Sequence, residues 1–302
     1  MSDPLLAIVS ITGKDQKGVV ARISTHLAER SANIEDIEQH VVQGLFVMNM
    51  LVDIRDMSVR LDELITGLLA IGNEIGMEIK VHLHAEPRRA KIAVLVTREP
   101  HCLAQIADDV HSGLLQADIV GVFGNREELR GEAESRGFTF DWKPCDKDDK
   151  EPHFHWLQER LETAGAELVA LARYMQIIPA WMCERWRGKM INIHPSLLPF
   201  YPGPNAYRQA YEAGARVAGC SAHYVTEKLD EGPIIFQDVF RIDSASESVD
   251  EVKENGRRLE GRTLSKALQL HVNDEILIHQ GKVVFRPRPA HFGHRGEANK
   301  SA

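Results

Sequence analysis

Along the first eighty residues the apolar positions switch between a two-residue rhythm and a three-to-four-residue one. Ala7-Ile8-Val9-Ser10-Ile11-Thr12 is a short β-branched run closed by Gly13 and the polar turn Lys14-Asp15-Gln16-Lys17-Gly18, which predicts a strand. Val20, Ile23 and Leu27 follow at helical spacing, until polar Ser31-Ala32-Asn33 interrupts them. A second strand is predicted over Ile34–Val42 and, after the Gln43-Gly44 turn, a third over Leu45–Asp53. Leu61, Leu64, Ile65, Leu68 and Leu69 trace one face of a second helix, and Ile79–Leu83 supplies a last strand. The order strand, helix, strand, strand, helix, strand predicts a ferredoxin-like split βαβ domain over residues 1–84, an antiparallel sheet with both helices on one side.

Polar Glu86-Pro87-Arg88-Arg89 places a short linker at residues 85–89. Beyond it the rhythm changes. Strands at Ile92–Val96, Ile119–Phe123, Leu168–Leu171 and Met190–Ile193 alternate with helical stretches at Cys102–Val110, Glu127–Arg136 and Pro179–Arg185. That alternation predicts a Rossmann-like open parallel sheet covered by helices on both faces, spanning residues 90–286 and followed by a tail at 287–302. The fold class is therefore α/β, in two domains.

Composition narrows the functions open to such a chain. Its 302 residues carry 36 Lys+Arg against 44 Asp+Glu, a formal net charge of −8, which argues against holding nucleic acid or an anionic membrane by bulk charge. The longest apolar runs fall far short of the ~20 residues of a membrane-spanning helix. The Met-Ser-Asp-Pro start lacks the basic and apolar segments of a secretion signal, so a cytoplasmic location is expected. Cys102, Cys145, Cys183 and Cys220 show no Cys-x-x-Cys pair, which fits reduced thiols. His82-x-His84, His153-x-His155 and His291-x-x-His294 have no cysteine or carboxylate at a recognised ligand spacing, so no metal is expected.

Two nucleotide motifs are also missing. Gly13-x-x-x-x-Gly18 is followed by Val19-Val20 where a phosphate loop needs Lys and Ser or Thr. After the first strand of the second domain stands Thr97-Arg98-Glu99-Pro100-His101, without the Gly-x-Gly-x-x-Gly of a dinucleotide site.

Chemistry in an open parallel sheet gathers at the carboxyl ends of its strands. There the run Met190-Ile191-Asn192-Ile193-His194-Pro195 puts Asn192 and His194 on one side of a strand by their two-residue spacing. Ser221–Thr226 alternates as a neighbouring strand and leads into Glu227-Lys228-Leu229-Asp230-Glu231-Gly232-Pro233, where an acid stands beside a flexible glycine. An amide, an imidazole and a carboxylate are the parts needed to attack a carbonyl: an oxyanion donor, a polarising or proton-handling ring and a general base. Lys228 and Glu231 read as solvated loop charges, and His223 as a support from the neighbouring strand.

These two segments, residues 192–199 and 223–235, closely resemble the folate-dependent formyltransferase family in order and spacing. Transferred residue by residue, the resemblance implies Asn192, His194 and Asp230 as the catalytic trio. It implies the loop Arg173-Tyr174-Met175-Gln176-Ile177-Ile178, with Val225 and Thr226, as the folate-binding part, folate being a substrate and no cofactor being needed. Residues 13–20 and Ala32-Asn33-Ile34-Glu35-Asp36 resemble an ACT domain, a small-molecule sensor. That likeness implies an effector, by family an amino acid, near Gly18 and Asn33, and pairing of sheet edges into a homo-oligomer.

An ACT domain joined to this catalytic domain resembles the deformylase branch of the family, which hydrolyses 10-formyltetrahydrofolate and balances the one-carbon pool that feeds purine synthesis. Pro195, where deformylases usually carry a second histidine, and Phe200-Tyr201-Pro202-Gly203 lean instead towards the transferases. Gly124-Asn125-Arg126 stands where Ser-Asn-His is usual in deformylases, while the first loop lacks the glycine- and serine-rich run of a purine-pathway transferase. Hydrolysis is the first expectation. Formyl transfer to an amine and a catalytically silent folate sensor are the alternatives.

Overall fold

A computed structural model of the chain describes residues 5–83, 89–200, 205–243 and 246–286. His84, residues 85–88 of the expected linker, the Tyr201-Pro202-Gly203 segment, His291, His294 and the tail at 287–302 lie outside the described residues. The chain divides into two compact units, one holding the described residues up to 83 together with 285–286, the other residues 89–284. The second domain was expected to run to residue 286. Phe285 and Arg286 instead belong with the first unit, where Arg286 Nη1 donates to Thr12 Oγ1 at 2.9 Å.

In the first unit, strands β1 (Leu6–Lys14), β2 (Asn33–Val42), β3 (Leu45–Asp53) and β4 (Met77–Leu83) form one antiparallel sheet in the order β2-β3-β1-β4. Helices α1 (Val19–Ala28) and α2 (Leu61–Ile75) supply Val19, Ile23, Leu27, Leu64 and Leu68 to a core built on β1 and β3. The elements fall where the apolar rhythm puts them, because each helix has one buried stripe. All nine residues of β3 are buried, whereas β2 at the sheet edge leaves Ile37, Val41 and Val42 exposed.

The second unit is a seven-stranded sheet ordered β11-β10-β9-β8-β5-β6-β7. Strands β5 (Ala90–Val96), β6 (Ala117–Gly124), β7 (Phe140–Trp142), β8 (Leu168–Ala172) and β9 (Met190–His194) run parallel, as their alternation with helices requires. The sheet is nevertheless only mostly parallel. Strand β10 (Val217–Tyr224) returns antiparallel to β9, and β11 (Ile234–Arg241) antiparallel to β10, closing that end as a hairpin.

Side chains alternate between two cores. Ile92, Val94 and Val96 of β5 face α3 (His101–His111) and α8 (Val249–Val272), while Ala93 and Leu95 face α5 (Glu151–Thr163) and α6 (Ala180–Arg185). Short α4 (Arg130–Ser135) begins three residues later than its apolar pattern predicts, and α7 (Ala206–Glu212) packs on α8. A small hairpin of β12 (Ile276–His279) and β13 (Lys282–Phe285) follows α8.

Candidate active site

The parallel strands aim their carboxyl ends at a cleft of about 380 Å³. All twelve residues singled out in the second domain line it: Asn192, His194, His223, Asp230, the loop 173–178, Val225 and Thr226. Asn192 and His194 alternate with buried Ile191 and Ile193 on β9, so the strand fixes their common face. The antiparallel return of β10 then sets His223 opposite Asn192 and Ser221 opposite His194 in the ladder. A register shift at Ala222/His223 interrupts the pairing of β10 with β11 beside the site.

Asp230 joins these groups from the loop after β10. Its Oδ2 lies 3.3 Å from His194 Nδ1 and its Oδ1 3.7 Å from His223 Nε2. Asn192 Nδ2 approaches the same His223 Nε2 at 3.2 Å, and His223 Nδ1 meets the Tyr224 carbonyl at 3.0 Å. A ring with its Nδ1–H on that carbonyl offers Nε2 as acceptor to Asn192 while neutral and as donor to Asp230 when protonated. Burial acts to raise Asp230, but the two histidines beside it more than offset that and hold the carboxyl below its ordinary value of 3.8. It is therefore ionised at neutral pH.

The loop's shape has a cause that flexibility does not supply. Asp230 sits at φ 57°, in the left-handed region, where aspartate is one of the few tolerated residues. Two residues on, a Cβ on Gly232 would stand 1.7 Å from the Tyr224 carbonyl oxygen. The glycine is there for close backbone approach, with Tyr224 N donating to Pro233 O at 3.0 Å.

Loop 173–178 presents Met175 and Ile177 more than half exposed at the cleft, an apolar pair suited to a flat ring. Its support comes from residues that nothing in the sequence connects with it. Thr97 Oγ1 accepts from Met175 N at 3.0 Å and donates to Asn125 Oδ1 at 2.8 Å. Buried His153 hydrogen-bonds the Tyr174 hydroxyl through Nε2 and the Lys143 carbonyl through Nδ1 at 2.8 Å. Its partner in the His-x-His pattern, His155, lies outside and stacks on Trp181. His82 is exposed on β4.

Among the described residues one trio of ligating types converges, His101, Cys102 and Glu260. Arg173 Nε is 3.4 Å from the Glu260 oxygen that also takes His101 Nε2 at 2.9 Å. Burial pushes the Cys102 thiol well up. A guanidinium on the carboxylate and a protonated thiol make this an ion-pair network rather than a cation site.

In the first unit Gly18 caps α1 at φ 87°, and Asn33 opens β2 with its Nδ2 donating to Glu35 Oε1 at 2.8 Å. Among the described residues no helix is long and apolar enough to cross a membrane.

Comparison with known proteins agrees with this division. The family model for the formyl transferase domain matches residues 90–268, and the ACT domain model matches residues 6–82. A formyltetrahydrofolate deformylase of Bacillus subtilis is 32% identical over 273 residues, covering 89% of this chain and 90% of the relative. The crystal structure of a formyltetrahydrofolate deformylase from Pseudomonas syringae superposes with a TM-score of 0.86 at 32% identity, over 94% of this chain and 95% of that one. A glycinamide ribonucleotide transformylase from Symbiobacterium toebii reaches only 0.63, at 30% identity, and covers 66% of this chain and 95% of its own. With relatives that match both units over nine-tenths of their length, this chain belongs to the formyltetrahydrofolate deformylase family.

Proposed function

We propose that the protein hydrolyses 10-formyltetrahydrofolate to tetrahydrofolate and formate, in the cytoplasm, with folate as substrate and no cofactor. The observation that carries this reading is the convergence of Asn192, His194, His223 and Asp230 in one cleft beside an apolar loop. Water attacks the formyl carbon and loses a proton to Asp230, which passes it to N10 as the C–N10 bond breaks. Asn192 and His194 donate to the formyl oxygen as its charge develops, His223 holds the Asn192 amide, and loop 173–178 with Val225 and Thr226 seats the pterin.

The test is formate release by the purified protein. Consumption of the donor only when an amine is supplied would replace hydrolysis by formyl transfer, the reading that Pro195 in the cleft lining favours. Binding of folate with no turnover would leave a sensor, a reading opposed by the assembled catalytic groups.

For the first unit we infer assembly and control. Strand β2 is an edge that leaves Ile37, Val41 and Val42 uncovered, an apolar margin that a second copy would cover to give a homo-oligomer. An amino-acid effector near Gly18 and Asn33 would act by binding two arrangements of that assembly unequally. Light scattering that shows a monomer at all working concentrations would remove the assembly, and a turnover rate unmoved by any single added amino acid would remove the effector.

A further inference from the structure

Arg173 belongs to the loop that seats the pterin but takes no part in the hydrolytic step itself. A second cleft, of about 830 Å³, opens beyond the ends of β5 and β6 and carries charges of both signs in its walls, Arg98, Arg126, Lys147 and Lys150 with Glu99, Glu127 and Glu128. Both clefts are lined by Arg173, Met175 and Gln176, so this loop is the partition between them. Any acceptor larger than water must rest its remaining bulk somewhere while its nucleophile reaches the formyl carbon. The second cleft is the larger space adjoining the site; another, of about 210 Å³ beyond Pro195, is lined mostly by apolar side chains.

At the root of the partition the chain accepts two unfavourable features together. Arg173 has φ 60°, a conformation strained for every residue except glycine, asparagine and aspartate. Its guanidinium is ion-paired at 3.4 Å, without a hydrogen bond at Nε, to Glu260, a carboxylate 1% exposed on α8 whose same oxygen meets His101 at the start of α3. Glycine would occupy the same backbone without strain and without a buried charge. Strain and buried charge thus serve to keep a long cationic side chain, itself only 19% exposed, at this one place.

We propose that Arg173, positioned by Glu260 and His101, determines acceptor specificity by closing the passage from the polar cleft to the formyl carbon, so that water alone attacks. This rests on the hydrolase reading. Its bulk bars a neutral amine, and its charge repels an ammonium. With the passage open, an amine nitrogen attacks the formyl carbon, the C–N10 bond breaks, Asp230 carries the amine proton to N10, and a formamide leaves instead of formate.

The experiment follows the fate of labelled formyl from 10-formyltetrahydrofolate with increasing semicarbazide, an uncharged amine at neutral pH. Wild-type protein should give formate alone above the uncatalysed background. Arg173→Gly, which suits the backbone, and Glu260→Gln, which frees the guanidinium, should raise the ratio of formylsemicarbazide to formate by at least about tenfold, whereas Arg173→Lys should stay near wild type. The ratio is independent of the amount of active protein, so a general loss of stability does not move it.

Wild-type formation of formylsemicarbazide overturns the partition, as does an unchanged ratio in both variants while they still consume the donor. Loss of all turnover in both, with the fold intact by circular dichroism, also overturns it, because Arg173 would then serve the reaction itself. A wild-type protein that leaves the donor intact strikes the hydrolase reading and the partition together, and is thereby distinguished from the other outcomes.

Discussion

The first unit closes its core around Ile11, Ile23, Leu27, Met48, Met50 and Leu68, and among its described residues up to 83 only Ser10, His26, Asn49 and Asp53 are polar groups below the surface. The second buries more: Thr97, Asn125, His153, His194, His223 and Glu260 around the carboxyl ends of the strands, and Asp109, Gln158, Thr263 and Ser265 on the covering helices. Removing hydrogen-bonding groups from water costs free energy unless each finds a partner, so such a concentration marks where geometry outweighs stability. In the first unit His26 meets backbone at Leu64, and burial together with Arg30 lowers it, favouring the uncharged ring. In the second the groups are chained, His153 to Tyr174, Thr97 to Asn125, Arg173 to Glu260 to His101. Buried polar groups whose chains converge on one cleft indicate a site; a buried group paired only locally, as Asp53 is with Arg55, indicates packing.

The strongest way to break this contrast is Asp230→Asn. The substitution keeps the shape of a side chain that touches both histidines but removes its charge and basicity. Turnover should fall about 10⁴-fold, the upper range for a general base, with a modest drop in thermal stability at neutral pH, where the lost charge also contributes to folding. A loss below tenfold would put the proton transfer elsewhere.

Next in size is Glu260→Ala. A buried ion pair that loses one partner leaves the other uncompensated, here the Arg173 guanidinium, and the cost is about 3–5 kcal/mol. Urea denaturation of the second unit would measure it. A change within error would show that the network is wetter than its 1% exposure implies.

The same contrast governs how much of the molecule can be read from the chain. Every element of the first unit can be read from its apolar residues, the helices from a period-three-and-a-half trace and β3, buried along its whole length, from a nearly unbroken apolar run. On β9 the Asn-x-His spacing is equally legible, since alternation on a strand is local. Helix α8 is not, although it is 24 residues long. Gly256, Glu260, Gly261, Thr263 and Ser265 are buried on it, so small and polar residues interrupt its apolar stripe. Gly256 and Gly261 pass close to Tyr207 and to the start of α3, where larger side chains would collide. The supports of loop 173–178 are invisible for another reason. Thr97 lies 78 residues from Met175, and His101 159 from Glu260, so no local pattern joins them. The antiparallel direction of β10 is likewise hidden, because alternation reports a strand and not its direction, and β11 does not stand out as a strand at all.

A smaller effect tests the first unit by its own rule. Ile23 is wholly buried between α1 and the sheet, and Ile23→Ala should destabilise that unit by about 3 kcal/mol through lost transfer energy and the cavity left behind. Calorimetry should record the loss. Formate release per folded molecule should be unchanged, since the residue belongs to a core that holds no catalytic group. A parallel fall in kcat would mean that the first unit sets the catalytic rate as well as assembly.

The finest comparison is between two carboxylates, one in each unit, that both titrate below the ordinary 3.8. Asp53 is lowered chiefly by its hydrogen bond from Arg55, whose Nε donates to Oδ2 at 2.9 Å and whose side chain is 37% exposed. Asp230 is pushed up by burial and brought back down by His194 and His223, both nearly sealed from solvent. A depressed folded value means that each carboxylate contributes stability at pH above 3.8, and that this contribution is lost as the pH falls through the folded value. Salt separates the two. Ions reach and screen an exposed guanidinium, whereas the cleft groups interact where screening is weak. Following both carboxyl carbons by NMR in low and high salt, the Asp53 midpoint should climb towards 3.8 while that of Asp230 holds. In His194→Ala, by contrast, Asp230 should move up and Asp53 stay, because one of the groups offsetting burial has gone. Equal responses to salt would show that the Asp230 environment is as open to solvent as the surface pair, and its carboxylate would then lose the dry setting that the hydrolytic role requires.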